Sequence, residues 1–169
     1  SLETIQNILE VDNDARFVAF LREFTWKYRD NPIRGKSEPY DLMKVVLDGL
    51  PMVTDYSLHH YYDGKRNDGK SRSIPFWLRH ISKSIKDYKK IRNGESPNIW
   101  ITEHARQMSS NKPNKDATRF YVSNLAGSIS TADYLIALSQ IPEVKGAFIH
   151  GLNAGVWQMF DYSVKQKDL

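Results

Sequence analysis

The stretch NIWITEHARQ, residues 98–107, drives three bulky apolar side chains, Ile99, Trp100 and Ile101, straight into an ionisable pair, Glu103 and His104, with Arg106 just behind. A β-branched and aromatic run of this kind predicts a buried strand. A carboxylate at the end of such a strand must be hydrogen-bonded, charge-paired or used in chemistry. Alternation along the strand groups Ile99, Ile101 and Glu103 on one face, so that Glu103 stands at the strand's mouth. The structural alternative is an ion pair between Glu103 and Arg106, or a lysine, at the start of a loop.

Working outward from this stretch, the same grammar recurs. ARFVAFL at 15–21, VTDYSLHHYY at 53–62 and KGAFIH at 145–150 each read as a strand. The second of them lies between Pro51 and the loop-like run DGKRNDGK. Helical spacing fills the intervals. Leu2, Ile5, Ile8 and Leu9 share one face, and Ile74, Leu78, Ile81, Ile85, Tyr88 and Ile91 step by three or four. Residues 118–139 form a second long helical pattern, weakened at Gly127 and stopped by Pro142. Ser37 can cap a further helix with Pro39 in its first turn, carrying Leu42, Val45, Val46 and Leu47, whereas residues 22–36, with Pro32 and Gly35, read as loop.

Strands near 15–21, 53–62, 98–104 and 145–150 thus alternate with helices, and no hairpin signal joins them. That pattern predicts an α/β fold of four parallel strands with crossover helices, in a single domain over 1–169. In such folds the polar side chains at the carboxyl ends of the strands line the site. Those ends carry Arg22 and Glu23, then His59, Tyr61 and Tyr62, then Glu103 and His104, then His150. Asp55, Ser57, His59 and Tyr61 share one face of their strand, which brings His59 and Tyr61 toward Glu103 and turns His60 toward the helices. A hydroxyl donated by Tyr61 would orient the Glu103 carboxylate and keep it ionised.

Composition removes several classes of function. The chain of 169 residues is 40% hydrophobic and 26% charged, ordinary for a globular domain with a real core. The net charge of +4 is spread along the chain and interleaved with acids; its densest run, KSIKDYKKIR at 83–92, is a solvated helix face, so nucleic acid is not the expected partner. No membrane span or signal-like segment is read. Cysteine is absent, which excludes disulfides and thiolate metal sites. His59, His104 and His150 could converge near Glu103, but without an HxH or HxxxH spacing no metal is expected, and no cofactor.

Four segments carry a resemblance to a family: EVDNDARFVAF at 10–20, DYSLHHYYDG at 55–64, IWITEHAR at 99–106 and TADYLIALSQIPEVKGAFIHGL at 131–152. Together they resemble the carboxyl half of the catalytic (β/α)8 barrel of the α-L-arabinofuranosidases, retaining glycosidases. The resemblance implies half of a TIM-type barrel, its fifth to eighth strands, and a hydrolase acting on arabinose-containing glycans. It implies Glu103 as nucleophile, Tyr61 as its hydrogen-bonding tyrosine and His59 beside the sugar. His104, Asn153, Trp157 and Gln158 become candidate substrate contacts. Apart from the resemblance, Trp26 and Trp157 are read either as stacking on sugar rings or as core. The family also places an acid/base glutamate after an asparagine at the end of the fourth strand, and no Asn-Glu pair occurs in this sequence. Glu23 is expected to lie too far from Glu103 to replace it. The resemblance therefore implies half an active site, inactive alone, or a carbohydrate-binding or interaction half-barrel without catalysis. Either way the inner face, expected from Phe17 or Val18, Val53, Ile99, Ile101 and Phe148 or Ile149, calls for a cover: the missing amino-terminal half, self-association, or the chain's own long loops at 22–36 and 63–73.

Overall fold

The computed structural model describes residues 2–20, 27–28, 40–41, 49–63, 72–106 and 125–150. In chain order these form helix α1 (Leu2–Val11), strands β1 (Val18–Phe20), β2 (Lys27–Tyr28), β3 (Tyr40–Asp41) and β4 (Asp55–Tyr62), helix α2 (Ile74–Ile91), strand β5 (Asn98–Arg106), helix α3 (Leu125–Leu138) and strand β6 (Val144–Ile149). Strands β1, β4, β5 and β6 make one parallel sheet in that order. Sequential order means that each crossover steps to the next position in the same direction. A singly wound sheet of this kind is the order required of four consecutive strands of a (β/α)8 barrel. All four predicted strands are present, with β1 trimmed to three residues and β5 extended to Arg106.

One prediction fails. Tyr40–Asp41 pairs antiparallel with Lys27–Tyr28, in register Lys27↔Asp41 and Tyr28↔Tyr40, where a loop and the first turn of a helix were expected. The backbone partner of these residues lies a dozen positions upstream, and local capping grammar carries no sign of such a pairing. The rest of that expected helix lies outside the described residues, as does the loop after β4.

Two compact units divide the chain, Ser1–Leu58 with Ile81–Trp100, and His59–His80 with Ile101–Leu169. In the first, Val18↔Asp55, Ala19↔Tyr56 and Phe20↔Ser57 set the parallel register of β1 on β4, and the Asn98 N–H donates to Thr54 O at 2.8 Å. Its core is Val53, Tyr56, Leu58, Ile81, Ile85, Tyr88 and Ile99, with Tyr56 and Tyr88 meeting edge to face at 5.6 Å. Helix α2 ends in this unit because Asn93 and Gly94 both adopt positive φ (51° and 97°), with the Gly94 N–H closing back on Lys89 O. Asp55, at the start of β4, is a buried acceptor hub. Its oxygens take Trp100 Nε1 at 2.9 Å, Thr54 Oγ1 at 3.0 Å, Asn98 Nδ2 at 3.1 Å and Arg16 Nη2 at 3.1 and 3.2 Å.

The second unit holds the carboxyl ends of β4 and β5, the first turns of α2, and α3 and β6. Its buried layer is aromatic: His60 stacks on Trp77 with ring centroids 4.1 Å apart, and Tyr62 stacks on Tyr134 at 4.4 Å. Trp77 Nε1 donates to Tyr61 O at 2.9 Å, tying α2 to the end of β4.

Of the residues expected on the inner face, Val18 and Phe148 are exposed while Val53, Ile99 and Ile101 are buried; Phe20 is exposed as well. Along β5, Ile99, Ile101 and Ala105 are buried on one face with Glu103 partly open between them, and His104 is buried on the other, as period-two alternation requires.

Candidate active site

Glu103 meets two histidines. His150 Nδ1 lies 3.4 Å and His59 Nδ1 3.5 Å from the same carboxylate oxygen, Oε2. All three side chains are partly open to solvent, at 33%, 30% and 23% for His150, His59 and Glu103. His59 belongs to β4, Glu103 to β5, and His150 directly follows β6, so the cluster draws one side chain from the end of each of three strands. Backbone pairing explains the convergence: the His150 N–H donates to His104 O at 2.9 Å, which sets the end of β6 against the end of β5. The Tyr61 ring stands edge-on to His150 at 6.3 Å, on the partly exposed face of β4 with His59. Glu103 and His59 are therefore brought together as alternation required, whereas Tyr61 is placed beside His150, and the contacts of Glu103 are to His59 and His150 where a hydrogen bond from the Tyr61 hydroxyl was expected.

His104 is not brought to this cluster. Its alternation phase turns it away from Glu103 into the aromatic layer, where it has no exposed surface. There its Nδ1 lies 3.3 Å from Tyr62 Oη, which also donates to Thr131 Oγ1 at 3.2 Å, and its ring centroid is 5.2 Å from that of Tyr134. A residue so enclosed offers nothing to a sugar, so its place among the expected substrate contacts is withdrawn. His150 is the strand-end histidine that faces Glu103; the signal for it was its position immediately after β6. Asn153, Trp157 and Gln158 lie outside the described residues, as do Trp26 and Glu23. Among the described residues no group of His, Asp and Glu has a metal-binding arrangement, and no helix is long and apolar enough to cross a membrane.

Beneath the open face, the same strands carry a neutral polar layer. His60 Nδ1 lies 2.5 Å from Tyr134 Oη, and as His60 is fully buried, desolvation pushes its imidazole well below the ordinary histidine range, with His80, His104 and Arg72 adding to the effect. Burial alone takes His104 down to about 4. Burial likewise lifts the phenols, Tyr62 to about 12 and Tyr134 well above the usual value. Because the strands alternate, each residue of the open cluster has a neighbour held in this layer: His59 has His60, Tyr61 has Tyr62, and Glu103 has His104. The layer fixes the backbone from which the open side chains project.

This layer predicts a stability profile. His104 binds its proton near pH 6.5 when unfolded and near 4 when folded, so between those values the unfolded chain holds more protons and acid favours unfolding. Stability is complete above about pH 6.5 and declines as pH falls to 4, by about 3 kcal/mol from His104, with His60 acting in the same direction. Urea midpoints measured from pH 7.5 to 4.5 should fall steadily in the wild type and less steeply in His104→Phe; equal slopes would remove His104 from the account. Removing the hydroxyl in Tyr134→Phe leaves His60 Nδ1 buried without its partner, and should cost about 1–3 kcal/mol at pH 7.5 with an unchanged m-value.

No protein-family model matches the sequence, and no curated protein matches it. Two solved structures are similar: a family 1 β-glucosidase from Thermotoga maritima (13% identity, TM-score 0.49) and the β-glucosidase from Thermotoga maritima in complex with deoxynojirimycin (14% identity, TM-score 0.47). In both cases the likeness covers 94% of this chain and 48% of the other, so the chain spans about half the length of the structures it matches.

Proposed function

We propose that this chain is part of the catalytic barrel of a retaining glycoside hydrolase, with Glu103 as nucleophile and with α-L-arabinofuranosyl glycans as substrates. The observation that supports it is the Glu103 carboxylate, partly open at a strand end and flanked by His59 and His150. A carboxylate that served only to anchor a loop would be paired with Arg106 or a lysine. Arg106 Nε instead donates to Asp63 O. The arabinofuranosyl specificity rests on the sequence resemblance alone.

In a retaining mechanism the nucleophile attacks the anomeric carbon and a second carboxyl group protonates the leaving oxygen, then activates water for the second step. An activated aryl glycoside needs no proton on leaving, so attack by Glu103 proceeds without that acid. The covalent sugar then persists, since no general base hastens its hydrolysis. Intact-protein mass spectrometry after incubation with a dinitrophenyl α-L-arabinofuranoside should show one sugar on the chain, located at Glu103 by peptide mapping and absent in Glu103→Gln. A dinitrophenyl β-D-glucoside in parallel tests the sugar class. An adduct that survives in Glu103→Gln, or none from either glycoside, defeats the nucleophile assignment. The lack of an Asn-Glu pair favours one other reading, a carbohydrate-binding half-barrel without catalysis, which predicts saturable binding of arabinan oligosaccharides and no adduct.

A further inference from the structure

The geometry points to His150 as a positioning residue that acts with His59 on one oxygen of Glu103, Oε2, and so reserves Oε1 as the attacking atom. The inference rests on the reading of Glu103 as nucleophile and adds to it the division of labour between its two oxygens.

Both imidazoles approach the same oxygen through the same ring atom, at 3.4 and 3.5 Å. They come from opposite sides, because β4 and β6 are the two sheet neighbours of β5. A carboxylate oxygen has room for two donors, and two imidazoles at 3.4 and 3.5 Å from Oε2, beyond the ordinary N–H···O length, bias the rotation of the carboxyl plane. An imidazole nitrogen facing an anion must present its N–H, since a lone pair there would be repelled. His59 and His150 therefore carry the Nδ1 proton, although free neutral histidine favours Nε2–H. His150 is held for this task by its backbone N–H, bonded to His104 O beside Glu103, and by the edge-on Tyr61 ring. With Oε2 engaged, a lone pair of Oε1 forms the bond to the anomeric carbon. The bond from that carbon to the aryl oxygen breaks, and the phenolate departs with its electron pair.

Two measurements test this, one independent of any reaction. Long-range 1H–15N spectra of the full chain above pH 7.5 report which ring nitrogen of each histidine bears the proton. His59 and His150 should show Nδ1–H, and both should revert toward Nε2–H in Glu103→Ala but not in Thr102→Ala. Nε2–H at His150 in the wild type overturns the proposal whatever the labelling shows. The second measurement is the rate of Glu103 labelling by the dinitrophenyl glycoside. His150→Ala should slow it about 10-fold, and His150→Asn, whose amide N–H stands near the place of Nδ1, should restore it to within about threefold. Equal rates in wild type and His150→Ala overturn the positioning role and leave Glu103 as nucleophile. An intact Nδ1–H signature with no labelling of the wild type instead overturns the nucleophile reading, and the role of Oε1 with it. Should His150→Ala fail to fold, the wild-type spectrum and the Asn variant still decide the matter.

Discussion

Pure protein incubated with arabinan or arabinoxylan oligosaccharides should leave them intact. An unactivated sugar alkoxide is a poor leaving group, and general acid assistance is worth about 10² to 10⁴ in rate. The second carboxyl group of a retaining pair must stand roughly 5 to 5.5 Å from the first. Around Glu103 Oε2 the described structure places two histidines. An imidazolium can donate a proton in principle, but His59 and His150 are turned toward Oε2, on the nucleophile's side of the reaction. Chromatography of the sugars should therefore show no release over hours at enzyme concentrations that yield the covalent adduct within minutes from the dinitrophenyl glycoside. Sustained release that disappears in Glu103→Gln would show that the chain supplies its own acid. Glu23 would then be the first residue to replace.

How much of this was legible in the sequence follows from the range of the forces involved. The four strands and helix α2 could be read because their apolar periods are local properties of the chain, and the strand ends of a parallel sheet collect in one place for topological reasons. His59, Tyr61 and Glu103 followed from period-two alternation added to that topology. The burial of His104 was legible in the same way, since alternation that puts Glu103 on one face puts His104 on the other, and His150 stood among the strand-end residues; only its contact with Glu103 Oε2 needed the fold. The β2–β3 pairing escaped, being a contact across a dozen residues that leaves no periodic trace. Asp55 lies between these cases. Alternation put it on the face of His59 and Tyr61, yet only the fold shows that donors from Arg16, Asn98 and Trp100 meet there.

Asp55→Ala should be strongly destabilising for the first unit, at about 2–4 kcal/mol, or on the order of 10 °C in melting temperature for a chain of this size. The side chain of Asp55 is only 6% exposed, and its removal leaves the Trp100 indole N–H and the Asn98 amide without their acceptor in a half-buried setting. The ion pair with Arg16 contributes little of this. Arg16 is 72% exposed, so Arg16→Ala should cost under about 1 kcal/mol. A large loss in Arg16→Ala would mean that charge, not acceptor geometry, holds β4 to its neighbours. The pH dependence separates Asp55 from the buried histidines. Burial works to raise its carboxyl, but the donors Trp100, Asn98, Thr54 and Arg16 outweigh that and hold it below the usual 3.8. A depressed carboxyl stabilises the fold throughout the range above its unfolded value and loses that contribution only as pH falls through its folded value. Between pH 7.5 and 4.5 the slope of stability thus belongs to His104 and His60, and below about 4 Asp55 joins His60, whose folded imidazole stays well below the ordinary histidine range. Urea midpoints for Asp55→Ala should run parallel to those of the wild type above pH 4.5, lower by a constant amount, and converge on them in stronger acid. Curves that stayed parallel down to pH 2 would show that the carboxylate form of Asp55 is not what its four partners hold.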